Sequence, residues 1–301
     1  MNADLQAALQ ALDSIILGKP RQLKLALACL LARGHLLIED LPGVGKTTLA
    51  LALARILGLE FARIQFTSDL LPSDILGVSI YEAAGGRFRF TPGPIFAQLV
   101  LADEVNRASP KTQSALLEAM AERQVTVEGA TRPLPEPFFV VATQNPSEQV
   151  GTFPLPESQL DRFLMRLSLG YPPALAERQL LAAADRRELL AEQPAVLNPQ
   201  RVIQLQQTAQ KVRATPPLLN YVLALVQASR DDGGLRQGLS PRAGLALRRA
   251  AQAWALLEGR DGVIPEDVQA VFAAVVGHRL NATDGGAADP ASRLLRQVAI
   301  P

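Results

Sequence analysis

Leu36-Leu37-Ile38-Glu39-Asp40-Leu41-Pro42-Gly43-Val44-Gly45-Lys46-Thr47-Thr48-Leu49-Ala50 sets an apolar run, a glycine turn and a helical start back to back. Leu36 to Ile38 reads as a short buried strand, and the stretch from Lys46 to Leu57 as a helix stopped by Gly58. Between them the glycines let backbone N–H groups turn inward, and the helix presents its positive end to whatever lies in the turn. That arrangement suits a phosphate chain. Pro42, Gly43, Val44, Gly45, Lys46, Thr47 and Thr48 are therefore the candidate nucleotide-binding residues. Lys46 can reach the terminal phosphates of ATP, and the Thr47 hydroxyl can hold Mg²⁺. The strict pattern has glycine where this chain has Asp40. An acid so close to phosphate repels it unless the carboxylate turns away to accept backbone N–H groups.

Further along, Leu99-Val100-Leu101-Ala102 ends in Asp103-Glu104, an apolar strand delivering two acids at its tip. Ligands bind beyond the C-terminal ends of strands in open α/β sheets, which places the pair beside the loop. Asp103 is the candidate second Mg²⁺ residue, acting through water, and Glu104 the group that orients and polarises an attacking water. Other short apolar strands read at 62–66, 138–142 and 165–169, with a helix over Pro110–Glu122. Strands alternating with helices predict an α/β fold with a mostly parallel sheet covered on both faces.

Two stretches break the alternation. Val78-Ser79-Ile80 and Phe88-Arg89-Phe90 flank Gly85-Gly86, and Val125-Thr126-Val127 precedes Glu128-Gly129, so both read as inserted hairpins. After Tyr171-Pro172-Pro173 no strand is legible. Helix starts stand at Asn198-Pro199, Ser240-Pro241 and Pro265-Glu266. The organisation expected is a nucleotide-binding α/β domain over 1–170 and an all-helical domain over 171–301. Gly285-Gly286-Ala287-Ala288 reads as a flexible loop.

Composition narrows the classes. The 301 residues carry a formal charge of +1, without the basic excess that nucleic-acid binders advertise. One cysteine, Cys29 in an apolar stretch, excludes an intrachain disulfide and reads as a buried, inert thiol. The two histidines, His35 and His278, are too far apart in sequence to suggest a metal site, and Trp254 reads as helical-domain core. No secretory leader is legible at the start, and no uncharged apolar run approaches the roughly 20 residues that span a bilayer. A cytoplasmic protein with no transmembrane segment is the expectation.

The stretch Leu101-Ala102-Asp103-Glu104-Val105-Asn106-Arg107-Ala108-Ser109-Pro110-Lys111-Thr112-Gln113-Ser114-Ala115-Leu116-Leu117-Glu118-Ala119-Met120 resembles the signature of the MoxR family of AAA+ ATPases. So do Gln65-Phe66-Thr67, Leu71-Pro72-Ser73-Asp74, Gly93-Pro94-Ile95-Phe96, Ala142-Thr143-Gln144-Asn145-Pro146 and Leu155-Pro156-Glu157, and the likeness covers about residues 14 to 275. The resemblance implies an AAA+ P-loop core with a five-stranded parallel sheet and inserted hairpins, followed by a small helical lid. It also implies a Mg²⁺-dependent ATPase acting as a homo-oligomer, usually a hexameric ring. The usual partner is a protein client, often with a von Willebrand factor A domain, and Asp40 is a tolerated variant of the loop.

Residue by residue, the resemblance makes Asn145 the polar sensor of the γ-phosphate and Arg162, in Leu160-Asp161-Arg162-Phe163, the arginine reaching into a neighbouring subunit's site. It makes Arg242, in Ser240-Pro241-Arg242, the lid arginine that senses nucleotide state. Gln65 corresponds to a residue that restrains the hydrolytic acid, and Ile16-Leu17-Gly18-Lys19 to a stretch packing on adenine. The hairpins, over 78–91 and 125–133, match inserts that face the ring axis or partner, with Tyr81, Phe88 and Phe90 as candidate client contacts. Two competing readings are a nucleotide-binding scaffold with little turnover and a DNA-acting AAA+ motor or transcription regulator.

Overall fold

The computed structural model describes residues 2–82, 86–146, 151–182, 186–283 and 289–300. Nine strands are present among them: β1 (Leu36–Glu39), β2 (Phe61–Gln65), β3 (Gly77–Glu82), β4 (Arg87–Pro92), β5 (Leu99–Asp103), β6 (Gln124–Val127), β7 (Ala130–Pro133), β8 (Phe139–Gln144) and β9 (Met165–Leu167). Five form one parallel sheet in the order β2-β5-β8-β1-β9.

Strand periodicity explains the two cores. Along β1, β5 and β8, Leu36, Ile38, Leu99, Leu101, Phe139 and Val141 face one apolar cluster. Their alternating neighbours Leu37, Val100, Ala102, Val140 and Ala142 face the other. Both faces are covered, so these strands are apolar throughout. The first face is filled by the helices Ala3–Ile15, Pro20–Leu31 and Lys46–Ile56 together with the C-terminal helices. The second is covered by Pro72–Leu76, Pro110–Glu122 and Val125 at the root of the second hairpin.

The register sets the site. Gln65 pairs with Asp103, and Ile38 with Thr143, so the tips of β2, β5, β8 and β1 end level. The edge strand β2 has only Ile64 buried and carries Arg63 and Gln65 on one face.

Past residue 170 the described residues hold helices and two isolated bridges but no strand of a sheet. The Pro199–Lys211, Pro241–Leu257 and Pro265–Val276 helices start where proline signals placed them. Asn198 and Ser240 cap theirs by accepting from Arg201 N and Ala243 N. Ala174–Ala182, Arg186–Glu192, Pro216–Asp231 and Pro290–Gln297 are the other described helices of this part. Trp254 differs from expectation: it lies at the core margin, with the Lys24 ammonium 4.6 Å from its ring centroid. Cys29 is buried, and burial pushes its thiol well up.

Both hairpins form, β3 with β4 and β6 with β7. Tyr81 and Phe88 are exposed and touch edge to face at 5.3 Å. Phe90, expected beside them, points elsewhere: it packs on Phe96 at 5.8 Å and lies 3.9 Å beneath the Arg132 guanidinium of the second hairpin. Gly85 and the expected flexible loop at 285–288 fall outside the described residues. No described helix is long and apolar enough to cross a membrane.

Candidate functional site

Gly43 and Gly45 adopt left-handed φ of 84° and 97°, which other residues reach only with strain. A Cβ placed on either meets nothing within 4 Å, so the space before the turn is open. Gly45 caps the Lys46–Ile56 helix and has no side chain of its own to accept from the helix's first N–H groups. These donors and the helix dipole look onto a cleft of about 290 Å³ lined by the loop, Asp103, Glu104, Thr143, Gln144 and Asn145. Uncapped N–H groups, a lysine and a threonine hydroxyl suit a triphosphate, and Thr47 with Asp103 is an all-oxygen set suited to Mg²⁺.

Asp40 turns away from this cleft. Its carboxylate accepts from Ser168 Oγ (3.0 Å), Leu169 N (2.5 Å), Gly170 N (2.7 Å) and Leu41 N (2.8 Å). Burial alone would raise its pKa, but these four donors hold it below the usual carboxylate range. The acid therefore pins the loop's base to the chain leaving β9. Lys46 Nζ donates to the carbonyls of Asp40 (2.6 Å) and Leu41 (2.8 Å).

The two acids are held by Gln65 and by three groups the sequence did not reveal, Arg63, Arg107 and Thr143. Asp103 accepts from Thr143 Oγ1 at 2.6 Å on one oxygen and pairs with Arg63 at 2.7 Å on the other. Glu104 has φ 58°, a left-handed turn immediately after the strand, and its N–H donates to Thr143 Oγ1 at 2.9 Å. Its carboxylate accepts from Gln65 Nε2 at 2.9 Å and lies 3.0 Å from Arg107 Nε. Arg63 also donates to Gln65 Oε1 at 2.9 Å, closing the network across the edge strand. Gln65 was expected here; Arg63, Arg107 and Thr143 were not. The pairing of Gln65 with Asp103 was the signal available for Arg63, two residues away on the same face.

Asn145 is buried at the end of β8 and lines the cleft. Lys19 donates to Tyr171 O at 2.6 Å, and Gly18 packs on Pro173 and Ala176, so the 16–19 segment lies against the start of the helical part. Arg162 and Arg242 are elsewhere. They line a second pocket, of about 220 Å³, that shares no lining residue with the first. Arg162 donates to Leu117 O at 2.7 Å, and Arg242 lies 3.6 Å from Asp161.

Residues 35–165 match the family described as ATPase family associated with various cellular activities (AAA), and 227–297 match the AAA lid domain. Chaperone MoxR1 of Mycobacterium tuberculosis is 41% identical, over 99% of this chain and 82% of its own. Protein MoxR of Paracoccus denitrificans is 37% identical, over 90% and 86%.

The chain belongs to the MoxR family of AAA+ ATPases.

YeaC of Bacillus subtilis is 50% identical over 91% of this MoxR chain and 85% of its own. A solved structure from Cytophaga hutchinsonii superimposes with TM-score 0.87 at 35% identity, covering 99% of this chain and 95% of the other. The fold is accordingly the AAA+ α/β core with a helical lid. In this MoxR chain the loop cleft lies wholly inside the stretch matched as core, whereas the second pocket also draws Arg242 from the lid match.

Proposed function

We propose that this chain hydrolyses ATP with Mg²⁺ and uses the cycle to remodel a protein partner, as the name of the mycobacterial chaperone suggests. The observation that carries the reading is the sharing of one cleft by the phosphate loop, Asp103, Glu104 and Asn145. Gly43 to Thr48 would wrap the phosphates with main-chain N–H groups, while Pro42, which has none, shapes the entry to the turn. Lys46 must exchange the carbonyls of Asp40 and Leu41 for phosphate oxygens. Thr47 and Asp103 would hold Mg²⁺, which neutralises phosphate charge when bound. Glu104 accepts a proton from the attacking water once Gln65 and Arg107 release it, and Asn145 donates to the γ-phosphate or that water.

The larger organisation belongs to the same proposal. Residues 1–170 act as the nucleotide-binding part and 171–301 as the lid. Copies assemble into a ring, hexameric in this reading, where Arg162 acts on a neighbour's phosphates and Arg242 reports nucleotide state. Exposed Tyr81 and Phe88 on the first hairpin contact the client, a protein with a von Willebrand factor A domain, in the cytoplasm. Alanine at both positions would leave basal turnover intact and abolish client stimulation; unchanged stimulation removes that contact.

A second reading, a nucleotide-binding scaffold of low turnover, draws on the pairing of Asp103 with Arg63 and of Glu104 with Gln65 and Arg107. Glu104→Gln separates the two. In the hydrolytic reading it binds ATP as the wild type does while phosphate release falls at least about 100-fold. Equal release by both proteins contradicts the role of Glu104, and wild-type release near background favours the scaffold.

A further inference from the structure

Asp103 offers a metal ion a carboxylate whose two oxygens are both engaged. Oδ1 accepts from Thr143 Oγ1 at 2.6 Å, and Oδ2 accepts from Arg63 Nη2 at 2.7 Å. A dication that comes to this acid, directly or through its waters, meets a guanidinium charge beside the oxygen it needs. One of the two donors has to yield.

Thr143 is the poor candidate. It is fully buried, and its hydroxyl also accepts from Glu104 N at 2.9 Å, so moving it breaks two bonds at the heart of the sheet. Arg63 differs on both counts. It stands on the edge strand β2 with half of its side chain in water, whereas the Asp103 side chain is 10% exposed. An ion pair with one solvated partner contributes little, and a long stem carries the charge into solvent without leaving it buried and unpaired.

The same nitrogen reaches the second acid. Strand period puts Arg63 and Gln65 on one face of β2, and Gln65 lies opposite Asp103. Arg63 Nη2 therefore also donates to Gln65 Oε1, at 2.9 Å. With its oxygen spent on Arg63, the Gln65 amide turns Nε2 to the Glu104 carboxylate, again at 2.9 Å. Departure of one nitrogen frees Asp103 and loosens the amide that holds Glu104.

Mg²⁺ sheds its waters reluctantly and is held by few carboxylates together with substrate phosphates. Thr47 and a shared Asp103 are too few to exchange Arg63 for the metal alone, and a triphosphate across the loop supplies the missing oxygens. We infer that Arg63 is a displaceable counter-ion of Asp103 that excludes Mg²⁺ until the triphosphate brings it. Arg63 is a positioning residue, acting through Asp103 and Gln65. The inference rests on the reading of the loop as a Mg²⁺–nucleotide site.

Mn²⁺ is the probe, because its EPR signal counts free metal with no turnover involved. Without nucleotide, Arg63→Gln should bind Mn²⁺ at least about tenfold more tightly than wild type, the scale on which a neighbouring cation alters a carboxylate's affinity for a proton. Arg63→Met, which keeps the apolar stem over the strand, should gain as much, so one chain that fails to fold does not decide the matter. Arg63→Lys keeps the charge and should gain no more than about threefold. With a non-hydrolysable ATP analogue bound, all of these chains should agree with wild type within about twofold. Adding Asp103→Asn to Arg63→Gln should remove the gain. Lost packing lowers metal affinity, so tighter binding is not a sign of damage. Unchanged or weaker binding by Arg63→Gln and Arg63→Met overturns the inference, as does an equal gain in Arg63→Lys or a gain that survives Asp103→Asn. A wild type that takes up Mn²⁺ neither alone nor with the analogue would instead sink the loop reading.

Discussion

In the loop cleft Asp103 sits against Arg63 and Glu104 against Arg107, while Asp40 spends its charge on hydrogen-bond donors. In the arginine pocket six guanidiniums meet a single lining carboxylate, and Arg249 has no partner among the described residues. The first cleft balances its own charge within one chain. The second carries more positive charge than its one lining carboxylate balances.

The largest expected effect breaks the comparison at the pocket. Arg162→Ala should lower turnover by about 10³-fold at assembling concentrations, the scale of a transition-state arginine, with little change in ATP uptake. Equal steady-state phosphate release by variant and wild type would return the pocket to mere structure. A smaller effect tests the self-contained cleft. Asp40→Ala orphans the Leu169 and Gly170 N–H groups and should cost about 3 kcal/mol in urea unfolding. A change below about 0.5 kcal/mol would mean that Asp40 does not anchor the loop.

The smallest effect sharpens the boundary between the two. His35 lines the arginine pocket yet stays neutral: its pKa is lowered to about 3, by burial first and by Arg123 second. Val140 N donates to Nδ1 at 3.0 Å, so the proton is on Nε2, which donates to Met120 O at 3.2 Å. Unfolded His35 takes up a proton below about pH 6.5, and the folded group does so only near pH 3. Stability therefore falls as pH drops through that window, by about 2 kcal/mol at pH 5. His35→Gln should start less stable at pH 7 and lose less on acidification. Parallel pH profiles for the two chains would contradict this assignment.

The inner strands of the sheet were legible because they are buried on both faces and bounded by turn residues, so Leu99 to Ala102 could hardly be anything else. The loop was legible because its ligands are consecutive. Helix starts showed where a capping residue precedes proline, as at Asn198 and Ser240. Pro216–Asp231 carries the same kind of signal, Thr215 before proline, and went unread; in the structure Thr215 accepts no hydrogen bond from it. Arg63 was missed because an arginine on an edge strand looks solvated until strand register brings it to Asp103. The arginine pocket was not legible because it is assembled from segments more than 200 residues apart, which no local pattern records.

Equilibrium titration of the wild type and Lys46→Ala with a fluorescent ATP analogue, with and without Mg²⁺, bears most directly on the loop. The expected result is uptake strengthened by Mg²⁺ in the wild type and weakened at least about 100-fold in Lys46→Ala. Equal binding by both folded proteins, or none by either, would contradict the account.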